Sequence, residues 1–271
     1  TLTLKMNIKN IHQYGLDEVK RIEECMIGVK NKMNFKGTLK EFNVFLRKQK
    51  HLNYASKKEL LQNYKSMLKT IDNTVMKNYF YNKIKSKCEL VTVPKFNEKF
   101  VGEAYYYPGD LENTRNGKFF INLRDIKDNS KMEIEALTLH EANPGHHYQI
   151  TYVNENKNIP LFVKIIVNDA YQEGWALYCE NLGDYKTDES YYGKLIMEMI
   201  RALRLVVDTG IHHYGWSYKK TFNYYKKYSF DSDEQIKTQI LRYIALPTQA
   251  LSYKIGEIFF LNKFKNEFGD I

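Results

Sequence analysis

The chain has 271 residues, 43% of them hydrophobic, which is enough for a buried core and excludes a disordered chain. Its 41 Lys and Arg against 32 Asp and Glu leave a formal charge of +9, but the lysines are scattered among Asn, Tyr and Phe without a dense basic tract, so no nucleic-acid partner is expected. Cys25, Cys88 and Cys179 contain no C-x-x-C pair, which excludes a disulfide framework and a Cys-rich zinc site and favours a reducing, cytoplasmic compartment; Thr1 opens no signal peptide, and no stretch is long enough to span a membrane.

There is no internal repeat, low-complexity tract or Pro/Gly-rich linker. Helices come first. Val19, Ile22, Met26 and Val29 recur at helical spacing, and Ser56-Lys57-Lys58-Glu59 reads as a capping box ahead of Leu60, Leu61, Tyr64, Met67, Leu68 and Ile71. Near residue 90 the pattern changes. Leu90 to Val93 is a short β-branched run stopped by Pro94, and Gly117 to Leu123 predicts a second strand, with a tyrosine-rich loop from Gly102 to Gly109 between them. Helices then resume. One is expected from Pro160 to Leu182, ended by Gly183, and another from about Asp188 to Asp208, followed by Gly210. Ser217 and Ser232 are N-cap candidates, and Pro247 is expected to break the last helical stretch. The fold class expected is mostly α with a small β-sheet (α+β).

The segment His140-Glu141-Ala142-Asn143-Pro144-Gly145-His146-His147 follows a helix expected over Glu133 to Glu141. A zinc hydrolase needs such a His-Glu pair: the imidazole binds the metal and the adjacent carboxylate takes a proton from water. In the usual H-E-x-x-H motif the second His is four residues on, but position 144 is proline. On one ideal helix His147 would lie about 10 Å along the axis from His140, too far to share an ion. A distorted helix is therefore expected, with Pro144-Gly145 as the cause. His146 is favoured as the second ligand, and His147 is the alternative, otherwise placed beside the ligands or facing substrate. In Gln172-Glu173-Gly174-Trp175-Ala176-Leu177-Tyr178-Cys179-Glu180 two acids lie seven residues apart on one face of an apolar helix. Acids on a buried face are costly unless they are paired or bound to metal. Glu173 is assigned as the third ligand and Glu180 as the group that orients the ligands.

HEANPGHHYQ followed by QEGWALYCE resembles the bacterial domain-of-unknown-function 885 family. The likeness extends to HQYGLDEVKRIE near the start, Arg201-x-x-Arg204, VDTGIHHYGWS (Val207 to Ser217) and RYIALPTQALSYKIG (Arg242 to Gly256), and so covers most of the chain. The resemblance implies a zincin or gluzincin-like catalytic domain. Its EGWALY segment is similar to the segment of zinc aminopeptidases whose Glu is the third ligand, which supports Glu173. Compared with the family the chain looks shortened at both ends, and Pro247-Thr248-Gln249 stands where Pro-Gly-Gln is more usual.

Other polar groups stand out. Arg201, Arg204, Asp208 and His212 form a stripe on a helix otherwise rich in apolar residues, and Arg204 and Asp208 are spaced to pair within one turn. Further on come Arg242, Tyr243, Gln249, Tyr253 and Lys254. Tyr253 and His212 are the candidates to donate a hydrogen bond to an oxyanion, and Arg242 or Lys254 to hold a substrate carboxylate. By analogy with related zinc peptidases, Phe119 to Leu123 is expected to form a cleft edge that pairs with an extended peptide, with Tyr105 to Tyr107 near its entrance. The expectation is a single domain over residues 1–271, with 1–88 a helical wall and 89–271 the metal-site core. It is expected to use Zn2+ to hydrolyse a peptide, with a small amide or amino-acid conjugate as the alternative substrate and a non-catalytic binding module as the alternative role. Its oligomeric state is left open.

Overall fold

The Asn7 side chain accepts the Lys9 N–H and so starts the first helix, α1 (Ile8–Lys32). The computed structural model describes residues 6–112 and 114–268; Thr1, on which the reading of no signal peptide rests, lies outside them. The elements that follow are α2 (Leu39–Arg47), α3 (Lys57–Ile71), a π-helical turn (Asp72–Met76), α4 (Lys77–Tyr79), β1 (Cys88–Thr92), β2 (Ala104–Tyr107), β3 (Gly117–Ile121), α5 (Ile134–Glu141) and α6 (His146–Glu155). Then come α7 (Leu161–Ile165), α8 (Asp169–Glu180), α9 (Asp188–His212), α10 (Tyr218–Tyr228), α11 (Asp233–Ala245) and α12 (Ser252–Phe268). The chain is mostly helical with one small sheet, as expected. Two compact units interleave along it: Thr1–Leu46 with Asn168–Gly174 and Tyr191–Ile271, and Arg47–Val167 with Trp175–Ser190. No boundary falls near residue 88.

The second of these units holds the sheet, in strand order β1-β3-β2, with β1 parallel and β2 antiparallel to β3. The tyrosine-rich segment expected as a loop is thus strand β2, since aromatic residues suit a pleated, half-covered surface. β3 is paired on both sides, which overturns its expected role as a cleft edge: its backbone groups already serve the two neighbouring strands. Phe119 and Ile121 point to one side and pack with Tyr54, Leu60, Tyr64, Ile134 and Ala142, joining the sheet to α3 and α5. Ser56 caps α3 through the Glu59 N–H, but Glu59 reaches back to Ala55 N–H rather than to Ser56 and pairs with Lys131. Asn122 organises the turn beside the sheet, its side-chain amide donating to the carbonyls of Glu98, Val101 and Gly102.

The long helix expected from Pro160 to Leu182 is two helices. Asn168 explains the break: its side chain accepts the Tyr171 N–H and its carbonyl accepts the Gln172 N–H, an N-cap that starts α8 afresh. Helix α9 runs past the expected end at Asp208. Gly210 lies inside it, at a position where a Cβ would sit 2.6 Å from the Trp216 ring, and the left-handed glycine after the helix is Gly215, at φ +63. Ser217 and Ser232 cap α10 and α11 as expected, and the chain breaks around Pro247.

In the first unit, Gly174 of α8 meets the backbone of Gly256 of α12, where a Cβ would come within 2.3 Å. The same unit buries an ionic cluster. Lys254, 2% exposed, lies 2.9 Å from Glu18, 2.8 Å from Glu198 and 2.6 Å from Glu257, and Glu198 also binds Lys194 at 2.6 Å and Arg21. Burial works against the Glu198 carboxylate, but the three cations outweigh it and hold its pKa well below the usual carboxylate range. A carboxylate with a depressed folded pKa contributes stability above its unfolded pKa, near 4.3, that is lost as pH falls toward the folded value. Glu198→Gln is expected to cost about 3–5 kcal/mol at pH 7, with the gap to wild type narrowing in urea melts taken at progressively lower pH. Thr248 holds a left-handed backbone, φ 68, which a β-branched residue adopts at a cost, so the glycine more usual there has a physical reason. Thr248→Gly is expected to stabilise the protein by about 1 kcal/mol in the same melts, because the N–H that donates to Asp208 is retained.

Candidate metal centre

Helix α5 ends with His140 and Glu141, both buried, and α6 opens at His146. The expected distortion is a complete break. A cis Asn143–Pro144 peptide and Gly145 turn the chain back on itself. The turn depends on Gly145, since a Cβ there would stand 1.9 Å from the His140 carbonyl oxygen and 2.4 Å from that of Leu139. The result replaces a long separation on one axis with proximity: the His140 and His146 rings are 4.9 Å apart, edge to face. The turn is tied down by Asn143, whose amide donates to Asp72 in the π-helical turn, and α5 is seated by Leu139 among Ile71, Val75, Leu182 and Tyr185.

Helix α8 supplies the carboxylates. Trp175 donates its indole N–H to the Pro144 carbonyl at 2.7 Å, and Glu180 Oε1 accepts from His140 Nδ1 at 2.8 Å. Both contacts lie within the second unit and fix the later turns of α8. Glu173, two residues before Trp175 on the same continuous helix, takes its place from them. One ligand atom each from His140, His146 and Glu173 lies within 4.8 Å of the others. Glu180 is fully buried; by accepting from Nδ1 it fixes the tautomer of His140 and leaves Nε2 to face a metal. Two imidazoles and one carboxylate suit zinc, and His146 and Glu173 are only half-buried, so a fourth, exchangeable ligand has access.

His147 lies elsewhere. It is buried, with Nε2 on the Ser86 carbonyl at 3.2 Å and Nδ1 against the Tyr106 hydroxyl at 3.0 Å. Burial lowers its pKa to about 4, so it is neutral at physiological pH; Nε2 then carries the proton and Nδ1 accepts from Tyr106. It pins α6 to β2 rather than joining the ligands. Gly117 makes room for this contact, since a Cβ there would meet the Tyr106 hydroxyl at 2.0 Å.

The remaining predicted residues lie in the first unit. Lys254 is engaged by its three carboxylates, which corrects its expected role as a holder of a substrate carboxylate. Arg242 donates to Gln249 at 2.9 Å. His212 Nε2 faces the Tyr243 carbonyl at 2.9 Å. Arg204 stacks over the Tyr253 ring at 4.3 Å, and Asp208, instead of pairing with it, accepts the Thr248 N–H. Reasoning from sequence missed Trp175, Tyr106 and Asn143 as supports. Trp175 had a signal, as one of only two tryptophans and the neighbour of the Glu-Gly pair.

The family model described as "Bacterial protein of unknown function (DUF885)" matches residues 1–263. The crystal structure of the "putative lipoprotein" from Colwellia psychrerythraea superposes with a TM-score of 0.91 at 33% identity, over 98% of this chain and 48% of that one. A "putative lipoprotein of unknown function" from Shewanella oneidensis shares the fold, with a TM-score of 0.81 at 18% identity, over 98% of this chain and 52% of that one. The chain thus spans about half the length of the solved structures it matches. No curated protein matches. Among the described residues no helix is long and apolar enough to cross a membrane.

The His140–Glu180 contact makes a measurable prediction. Glu180→Gln is expected to weaken zinc binding by about 10–100-fold in a competition titration against a chromophoric chelator, with the fold retained by circular dichroism.

Proposed function

We propose that this chain, which belongs to the DUF885 family, is a zinc-dependent hydrolase of gluzincin type, a metallopeptidase that cleaves peptide bonds. The observation that carries the reading is the convergence of His140, His146 and Glu173, with Glu141 next to the first ligand and Glu180 behind it. His140, His146 and Glu173 would hold the ion. Zinc bound there acts as a Lewis acid that makes water a nucleophile at neutral pH. Glu141, whose carboxylate is largely shielded from solvent, would take a proton from the attacking water and pass it to the leaving amine. The lipoprotein description of the Colwellia psychrerythraea structure supports a place outside the cytoplasm, against the reading from cysteine usage.

Metal analysis of the purified protein, together with a peptide-library screen, tests this. About one zinc per chain is expected in wild type and in Glu141→Gln, and none in His140→Ala. Glu141→Gln is expected to lower kcat by about 100- to 10,000-fold. A well-folded wild type that takes up no metal overturns the hydrolase reading and leaves a binding module. Zinc with cleavage of N-acyl amino acids but not of peptides points instead to a small-amide hydrolase.

A further inference from the structure

The first unit treats one of its cations unlike the others, of which Lys254 and Lys194 are buried and Arg21 is exposed. Lys254, Lys194 and Arg21 are each matched by carboxylates of Glu18, Glu198 or Glu257. Arg204 is 8% exposed, and its Nε and Nη1 have no hydrogen-bond partner among the described residues. Asp208, one turn along α9 and spaced to pair with it, is turned to the Thr248 N–H instead. Burial raises the Asp208 pKa to about 6, opposed by His212 and the Thr248 N–H, so the carboxyl is still largely ionised at neutral pH, but it spends an oxygen on that N–H and forms no ion pair with Arg204.

A guanidinium cannot escape this position by losing its proton. Burial works against its charge, but the hydroxyl groups of Tyr243, Tyr253 and Tyr225 favour it, and the side chain stays cationic at any working pH. A buried cation with donors unspent is costly unless an acceptor reaches it. The surroundings define that acceptor. The Tyr253 ring covers one face of the guanidinium at 4.3 Å, so an anion must approach in the plane of the N–H bonds. One cation balances one negative charge, which fits a carboxylate, whereas a phosphate dianion would leave a buried excess. Tyr225 and Tyr243 are fully buried, so the ring of Tyr253, 8% exposed, is the aromatic surface left to a group attached to the anion.

We propose that Arg204 anchors a carboxylate-binding site in the first unit, built for a monocarboxylate that carries an apolar or aromatic group. The site rests on the surroundings of Arg204 alone and stands independently of the metal centre.

Calorimetric titration with 3-phenylpropionate, its amide and inorganic phosphate tests the proposal. Carboxylates also bind zinc, so the titrations are run on wild type and on His140→Ala. Both proteins are expected to bind the carboxylate at least about tenfold more tightly than the amide. Arg204→Met is expected to lose that preference, and Arg204→Lys, which keeps the charge but not the planar donors, to lose most of it. If the methionine variant does not fold, the lysine variant carries this arm. No preference for the carboxylate in wild type or His140→Ala overturns the site. So does a preference that survives both substitutions, or tighter binding of phosphate than of the carboxylate.

Discussion

The hydrogen bond between His140 Nδ1 and Glu180 Oε1 is sealed from solvent, and the candidate centre depends on it. A carboxylate in that position would be costly alone; placed on an imidazole it fixes the ring's tautomer and joins α5 to the end of α8. With the end of α8 held, and Trp175 fastened to the Pro144 carbonyl, the helix has one remaining freedom, its own regular rise. That rise carries Glu173 to the two histidines. The other half of the arrangement is steric. Gly145 lets the start of α6 fold against the carbonyls that end α5, so His140 and His146 meet across a turn rather than along a helix.

Support for this geometry reaches into the sheet. His147 is next to a ligand in sequence yet serves as a bracket, its two nitrogens spent on Ser86 and Tyr106. Gly117 has no side chain because the Tyr106 hydroxyl needs that space. A glycine in one strand, a tyrosine in the next and a buried neutral histidine thus set the position of α6, and through it the aim of His146.

The first unit shows two solutions to burying positive charge. Around Lys254 every cation has a carboxylate, and the group behaves as a fixed internal salt. Arg204 has aromatic rings and spare donors. The contrast matters because both lie in the interior of the same unit, so solvent exposure does not account for it.

Much of the candidate centre was legible from residue types and order. His140, His146, Glu173 and Glu180 were assigned from spacing and from the cost of burying acids, and the structure brings them together because those local rules also govern the fold. Helix α5 and the caps at Ser217 and Ser232 were equally plain, since capping and periodicity act within a few residues. What the tertiary structure decided were questions of partnership. Strand pairing is one case: the run Ala104–Tyr107 becomes a strand because β3 is there to receive it, and β3 in turn is central rather than an edge. Lys254, Arg204 and His147 looked alike as polar residues near motifs, and only their neighbours separate an ion-paired lysine, an arginine with donors to spare and a structural histidine. Sequence by itself determined which groups are present and which helices and caps form, because those depend on short-range geometry. The three-dimensional packing decided what each group faces, because contacts between residues far apart in the chain are set by the whole fold.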